Sequence, residues 1–145
     1  MTTMSDEVEG QGESGRTGRQ ALKYTRVYAD AQGGSNVEEI EVAFPAAEFV
    51  PGKPVIGLSP AYEATGVAFA RVPTDWEGGW HPTPRRQFGA IISGILEIRT
   101  SNGDVRRFTP GSVFLLDDTT GKGHNTLTAG GTDAIVLLAW LDPPQ

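Results

Sequence analysis

The chain has 145 residues, 19 of them Gly and 10 Pro, a formal net charge of −6 and no cysteine. That length holds one domain with a modest core, and the missing cysteines exclude disulfides, thiolate nucleophiles and Cys-type zinc sites. The acidic balance argues against nucleic acid or an anionic membrane as the main partner, and no apolar run reaches the ~18 residues needed to span a bilayer.

Residues 1–21 are polar, Gly-rich and nearly free of large apolar side chains. Such a segment buries too little surface to offset its ordering entropy, so a disordered N-terminal tail is expected there, followed by one folded domain over 22–145. Neither a basic nor an apolar leader is visible in Met1–Glu7, which suggests a cytoplasmic protein. The excess of Arg over Lys, with much Gly and Ala, suits a GC-rich bacterial genome.

The strand pattern begins at Lys23–Ala29. A second strand is expected over Val37–Phe44, where Ile40, Val42 and Phe44 alternate. The Pro- and Gly-punctuated stretch Phe49–Pro60 reads as a loop with short extended pieces. Gly66–Val72 reads as a strand that places Val67, Phe69 and Arg71 on one face. Pro73–Gly79 makes a turn carrying Trp76. Gln87–Thr100 reads as two short strands broken at Ser93-Gly94. Ser101-Asn102-Gly103-Asp104 is a hairpin signal for a type I′ turn, returning through Val105–Phe108. After the turn Thr109–Ser112, Val113–Leu116 is a buried strand. Asp117–Gly123 is a polar loop, Thr126–Leu127 is extended, and Ala134–Trp140, apolar on both faces, is a central strand. No stretch of ten residues has clean helical periodicity, so many short strands with turns between them predict a sandwich or barrel.

Chemistry concentrates on two residues. His81 and His124 are the chain's only histidines, 43 positions apart. His81 lies in Trp80-His81-Pro82-Thr83-Pro84-Arg85-Arg86-Gln87, and His124 in Gly121-Lys122-Gly123-His124-Asn125. Facing each other inside a small β-fold, they could hold a metal or move a proton. The plainer alternative is that each satisfies backbone groups at a strand end.

The stretch from Trp80 to Trp140 resembles the cupin family. Its first motif, His-x-His, then Glu, then Gly, is matched in spacing by His81, Thr83, Gln87 and Gly94, with Thr83 in place of the second His and Gln87 in place of the Glu. Its second motif opens at Gly111 and closes at His124. The intervening loop is longer than usual and lacks the motif's Pro, and Thr128 stands at the motif's Asn position. The resemblance implies an all-β, single-domain jelly-roll β-barrel. It also implies a site of His81, Gln87 and His124, able to hold one divalent ion (Fe, Mn, Ni, Zn or Cu) or to act without metal through acid/base chemistry. Affinity for metal should fall, because one imidazole and the only carboxylate of the family's set are gone.

Further ligand-binding candidates are Arg71, as a carboxylate or phosphate anchor if its strand face is interior, with Phe69 beside it. Trp80 and Trp140 are candidate pocket walls, and Tyr62 a cover for the barrel mouth. Asp117 and Asp118 could orient His124 or cap a turn. The functional expectation is an enzyme acting on a small organic molecule inside the barrel, of isomerase, cyclase, lyase or oxygenase type. The alternative is a non-catalytic binder of a small ligand, a sensor or carrier. The resemblance also implies a homodimer, with Lys23–Ala29 as the candidate strand for exchange or pairing.

Overall fold

A computed structural model describes residues 20–141. The expected tail therefore lies outside the described residues except for Gln20 and Ala21, as do residues 142–145. Eleven strands follow one another: β1 (Lys23–Ala29), β2 (Ser35–Glu41), β3 (Ala46–Ala47), β4 (Ile56–Gly57), β5 (Ala64–Val72), β6 (Gln87–Ser93), β7 (Ile95–Thr100), β8 (Val105–Phe108), β9 (Val113–Asp117), β10 (His124–Ala129) and β11 (Ala134–Leu141). No helix is found among the described residues, and none is therefore long and apolar enough to cross a membrane.

A six-stranded sheet in the order β2-β1-β9-β6-β11-β5 packs against a three-stranded sheet, β10-β7-β8, while β3 and β4 form a small ladder of their own. Pairing is antiparallel except between β1 and β9. The core lies between the two main sheets: Val27, Ile91, Phe114, Leu116 and Val136 meet Leu96, Ile98 and Phe108. Each such buried side chain contributes about 1.5–3 kcal/mol, which is why alternate residues of these strands are apolar. The all-β jelly-roll expectation is borne out.

The chain passes from the large sheet to the small one between β6 and β7, at the predicted Ser93-Gly94 break. Gly94 has a φ of 77°, and a side chain there would sit 2.3 Å from the Asp133 carbonyl oxygen. The crossing therefore needs the one residue without a Cβ.

Two local expectations change. The second strand starts and stops earlier than the Ile40-Val42-Phe44 alternation suggested. Its start is drawn back to Ser35, whose N–H donates to Ser101 Oγ (2.7 Å) and whose hydroxyl donates to the Gly123 carbonyl (2.7 Å), while Phe44 lies beyond its end and is exposed. The β7–β8 hairpin is not a type I′ turn, because only Gly103 (φ 98°) is left-handed and Asn102 is not. Thr100 N–H bonds the Asp104 carbonyl and Gly103 N–H bonds the Thr100 carbonyl, giving a three-residue loop with Gly at its left-handed position. Strand β1 has in-chain neighbours on both sides, β2 and β9. Among the described residues the outer strands of this sheet are β2 and β5.

Candidate functional site

His124 opens β10, and His81 sits on the segment opposite. The two form an isolated antiparallel bridge, with His81 N–H donating to the His124 carbonyl (3.1 Å) and His124 N–H to the His81 carbonyl (3.0 Å). This backbone pairing brings the rings together at a centroid separation of 5.4 Å and an angle of 47°.

Each ring is held from behind. His124 is 2% exposed, and its Nδ1 lies 2.7 Å from Oδ2 of Asp118, which is fully buried. Against an ionised carboxylate, which only accepts, the neutral ring carries its hydrogen on Nδ1 and has its lone pair on Nε2. Oδ1 of Asp118 is buried with no partner. His81 Nδ1 donates to the Gly79 carbonyl oxygen (2.8 Å). A carbonyl too can only accept, so His81 when neutral also has its lone pair on Nε2. Gly79 is itself fixed, because its N–H donates to Oδ1 of Asn125 (3.0 Å), whose amide nitrogen donates to Glu77 (3.0 Å). Asn125, next to His124 in sequence, thus positions the loop that orients the other histidine.

Gln87, the first residue of β6, is committed elsewhere. The Trp140 indole N–H, which can only donate, lies 3.1 Å from Gln87 Oε1. Gln87 Nε2 donates to Thr83 Oγ1 (3.2 Å), and that hydroxyl donates to the Arg85 carbonyl (2.8 Å). The chain of donors runs one way, from Trp140 through Gln87 and Thr83 to Arg85, and the Arg85 guanidinium lies 4.4 Å from the Trp140 ring centroid. The amide oxygen expected to reach a metal is instead an acceptor for an indole. No group of three or more His, Asp or Glu able to hold a metal ion occurs among the described residues.

The two rings, Gln87 and Thr83 open onto a cavity of about 180 Å³, walled by apolar residues of both sheets including Val72, Leu96, Phe114 and Leu138. Trp76 forms its outer wall. The turn carrying Trp76 is clasped by Thr128, whose hydroxyl accepts the Trp76 N–H (2.8 Å) and donates to the Pro73 carbonyl (2.8 Å).

Several expected ligand-binding residues are not brought to this cavity. On β5, Ala70 and Val72 point inward, which turns Phe69 (74% exposed) and Arg71 outward. The period of two left the choice of face open, and pairing with β11 settled it. Trp80 is 53% exposed and lines a surface hollow with Lys122. Trp140 acts behind Gln87. Tyr62 stands on the far side of the six-stranded sheet, where its hydroxyl meets that of Tyr24 (3.0 Å) in a cavity of about 390 Å³ that contains no histidine. Burial, with the bond to Tyr62, pushes the Tyr24 phenol well above its ordinary range. That cavity is the larger, but neither of the chain's two histidines lines it; both stand at the smaller one. Asp117 faces away from His124 and pairs with Arg26 (2.9 Å) and Arg86 (3.0 Å). Asp118 is the orienting carboxylate.

No protein-family model matches the chain, and no curated protein matches it. Similar solved structures include a cupin domain from Bordetella pertussis (17% identity, 70% of this chain and 95% of that one, TM-score 0.42). Others are the Cnp3 cupin domain of Schizosaccharomyces pombe (11%, 86% and 86%, TM-score 0.43) and an RmlC-like cupin from Shewanella frigidimarina (14%, 83% and 86%, TM-score 0.41). These likenesses say nothing of activity.

Proposed function

We propose that this chain is an acid–base enzyme for a small organic molecule held in the cavity between the sheets, with His124 as base and His81 as its partner acid. The Asp118–His124 pair carries the reading: a buried carboxylate fixes one tautomer and leaves Nε2 as the proton-accepting atom. His124 Nε2 takes a proton from a C–H or O–H of the bound molecule, and the charge that appears on the ring is offset by Asp118. His81, entering the cycle protonated, delivers a proton from Nε2 to a second position. The net change is one proton taken and one delivered, which in a dehydration leaves with the departing hydroxyl as water, and exchange with solvent resets both rings. Isomerisation, epimerisation, dehydration and cyclisation all fit this scheme.

A resident divalent ion does not fit the donors present. Two imidazoles fall short of the three protein ligands of an ordinary catalytic site. Gln87 offers an oxygen already bonded to Trp140, and the Thr83 hydroxyl hydrogen is given to the Arg85 carbonyl.

Deuterium exchange tests the reading. Acetophenone, cyclohexanone and 2-indanone would be incubated with the protein in D₂O, and loss of the proton signals beside the carbonyl followed by NMR. Enzyme-dependent exchange of at least one ketone is expected, slowed about 100-fold or more in His124→Asn. If none exchanges while acetophenone still shifts the histidine ring signals, the acid–base reading fails and the chain is a non-catalytic binder.

A further inference from the structure

Resting on that reading, we infer that the cavity takes only uncharged substrates: a compact, largely apolar molecule with one carbonyl or hydroxyl group set against the two imidazoles. Among the described residues, no Lys, Arg, Asp or Glu lines the cavity. The cations that might have reached it are held elsewhere. Arg26 and Arg86 pair with Asp117, Arg99 and Arg107 pair with Glu97, Arg85 lies over Trp140, and Arg71 is on the outer face of β5. The carboxylate that is fixed against the site is negative: Asp118 sits directly behind His124, with one oxygen unpartnered among the described residues.

A carboxylate or phosphate entering this space would give up its hydration and find no Lys or Arg of the wall in return, and the one positive charge of a protonated His81 is already offset by Asp118 behind His124. That desolvation goes uncompensated. A neutral carbonyl or hydroxyl meets a different environment. Thr126 lines the cavity, and neither its hydroxyl nor the second N–H of Gln87 has a protein partner among the described residues. With the two free Nε2 atoms these make a small polar end to an otherwise apolar space. Its volume lies below the ~300 Å³ at which pockets for drug-sized ligands begin, which restricts the occupant to a compact molecule.

A pair of probes with nearly the same shape separates charge from fit. Acetophenone and benzoate would be titrated at pH 8 against the ring signals of His81 and His124, which are assignable because the chain has only two histidines. Acetophenone is expected to bind about ten-fold more tightly or better. In Val72→Lys, which puts an ammonium on the cavity wall, the ratio should move toward benzoate by a similar factor. The wild-type comparison alone decides the matter if that variant does not fold. Benzoate binding as well as acetophenone, or neither probe moving either ring at millimolar concentration, overturns the inference. The acid–base reading fails by a different sign, loss of deuterium exchange, and the binding ratio is read without turnover.

Discussion

Gly123 precedes His124 and is the point where the bridge between the two histidines is most easily broken. Its φ is 72°, and a Cβ built there lies 2.0 Å from both the carbonyl carbon and oxygen of His81 and 2.2 Å from the nitrogen of Pro82. Real Cβ atoms essentially never approach closer than 3.0 Å. Gly123→Ala therefore has to move one backbone away from the other by about 1 Å, because no flexible side-chain end can give way. The left-handed conformation costs about 1–2 kcal/mol for a residue with a Cβ. Loss of the two bridge hydrogen bonds adds about 0.5–1.5 kcal/mol each. The sum is about 2–5 kcal/mol, a large share of the ~5–15 kcal/mol that stabilises a domain. Gly131 supplies the control: its φ is 76°, but a Cβ there meets nothing within 4 Å. Gly131→Ala should cost only the conformational part. Urea unfolding followed by tryptophan fluorescence gives both values. If the two substitutions destabilise equally, within about 0.5 kcal/mol, the close approach of the Gly123 and His81 backbones is not what holds the site together.

Asp118→Asn keeps the volume behind His124 but removes the charge. It should slow His124-dependent exchange by about 10²–10⁴-fold and mix the His124 tautomers in ring ¹⁵N spectra, and an unchanged tautomer would falsify the orienting role. Exhaustive dialysis against EDTA should leave the thermal midpoint where it was. A fall of several degrees would mean that a bound ion stabilises the fold, against the two-imidazole reading. Glu97 is held below the usual carboxylate range, chiefly by its hydrogen bond to Arg99 and then by Arg107. The folded form is the weaker proton binder there, so the stability Glu97 contributes is present above the ordinary value of about 4.3 and is lost as pH falls through its lowered value. The stability gap between wild type and Glu97→Gln should be steady at neutral pH and close in acid. Because both arginines are largely solvated, the gap should stay below about 1 kcal/mol; one that widened as pH fell would reverse the argument.

Much of the architecture was legible in the sequence because turns announce themselves locally. Gly94, Gly103 and Gly111 all have positive φ in the structure, and each lies at a predicted break. The strands between them alternate or run apolar according to how many faces they bury. The first strand, Lys23–Ala29, and the pair β6 and β7 have the bounds that this punctuation suggested. The two histidines stood out by scarcity and by their spacing relative to Gly94 and Gly111.

What the sequence could not decide were matters of side-chain direction and of who partners whom. Alternation showed that Val67, Phe69 and Arg71 share a face of β5 but not which face, since a period of two reads the same from either side. Gln87 looked like a weak ligand because nothing local shows that Trp140, 53 residues away, donates to its oxygen. Asp117 and Asp118 are neighbours of like chemistry, yet strand geometry sends them to opposite sides, one to two arginines and one to His124. By itself the chain determined that two imidazoles would stand at the ends of a β-fold. Tertiary structure decided the rest, because long-range backbone pairing between His81 and His124 sets the rings 5.4 Å apart, and a buried carboxylate chooses which nitrogen is left to act.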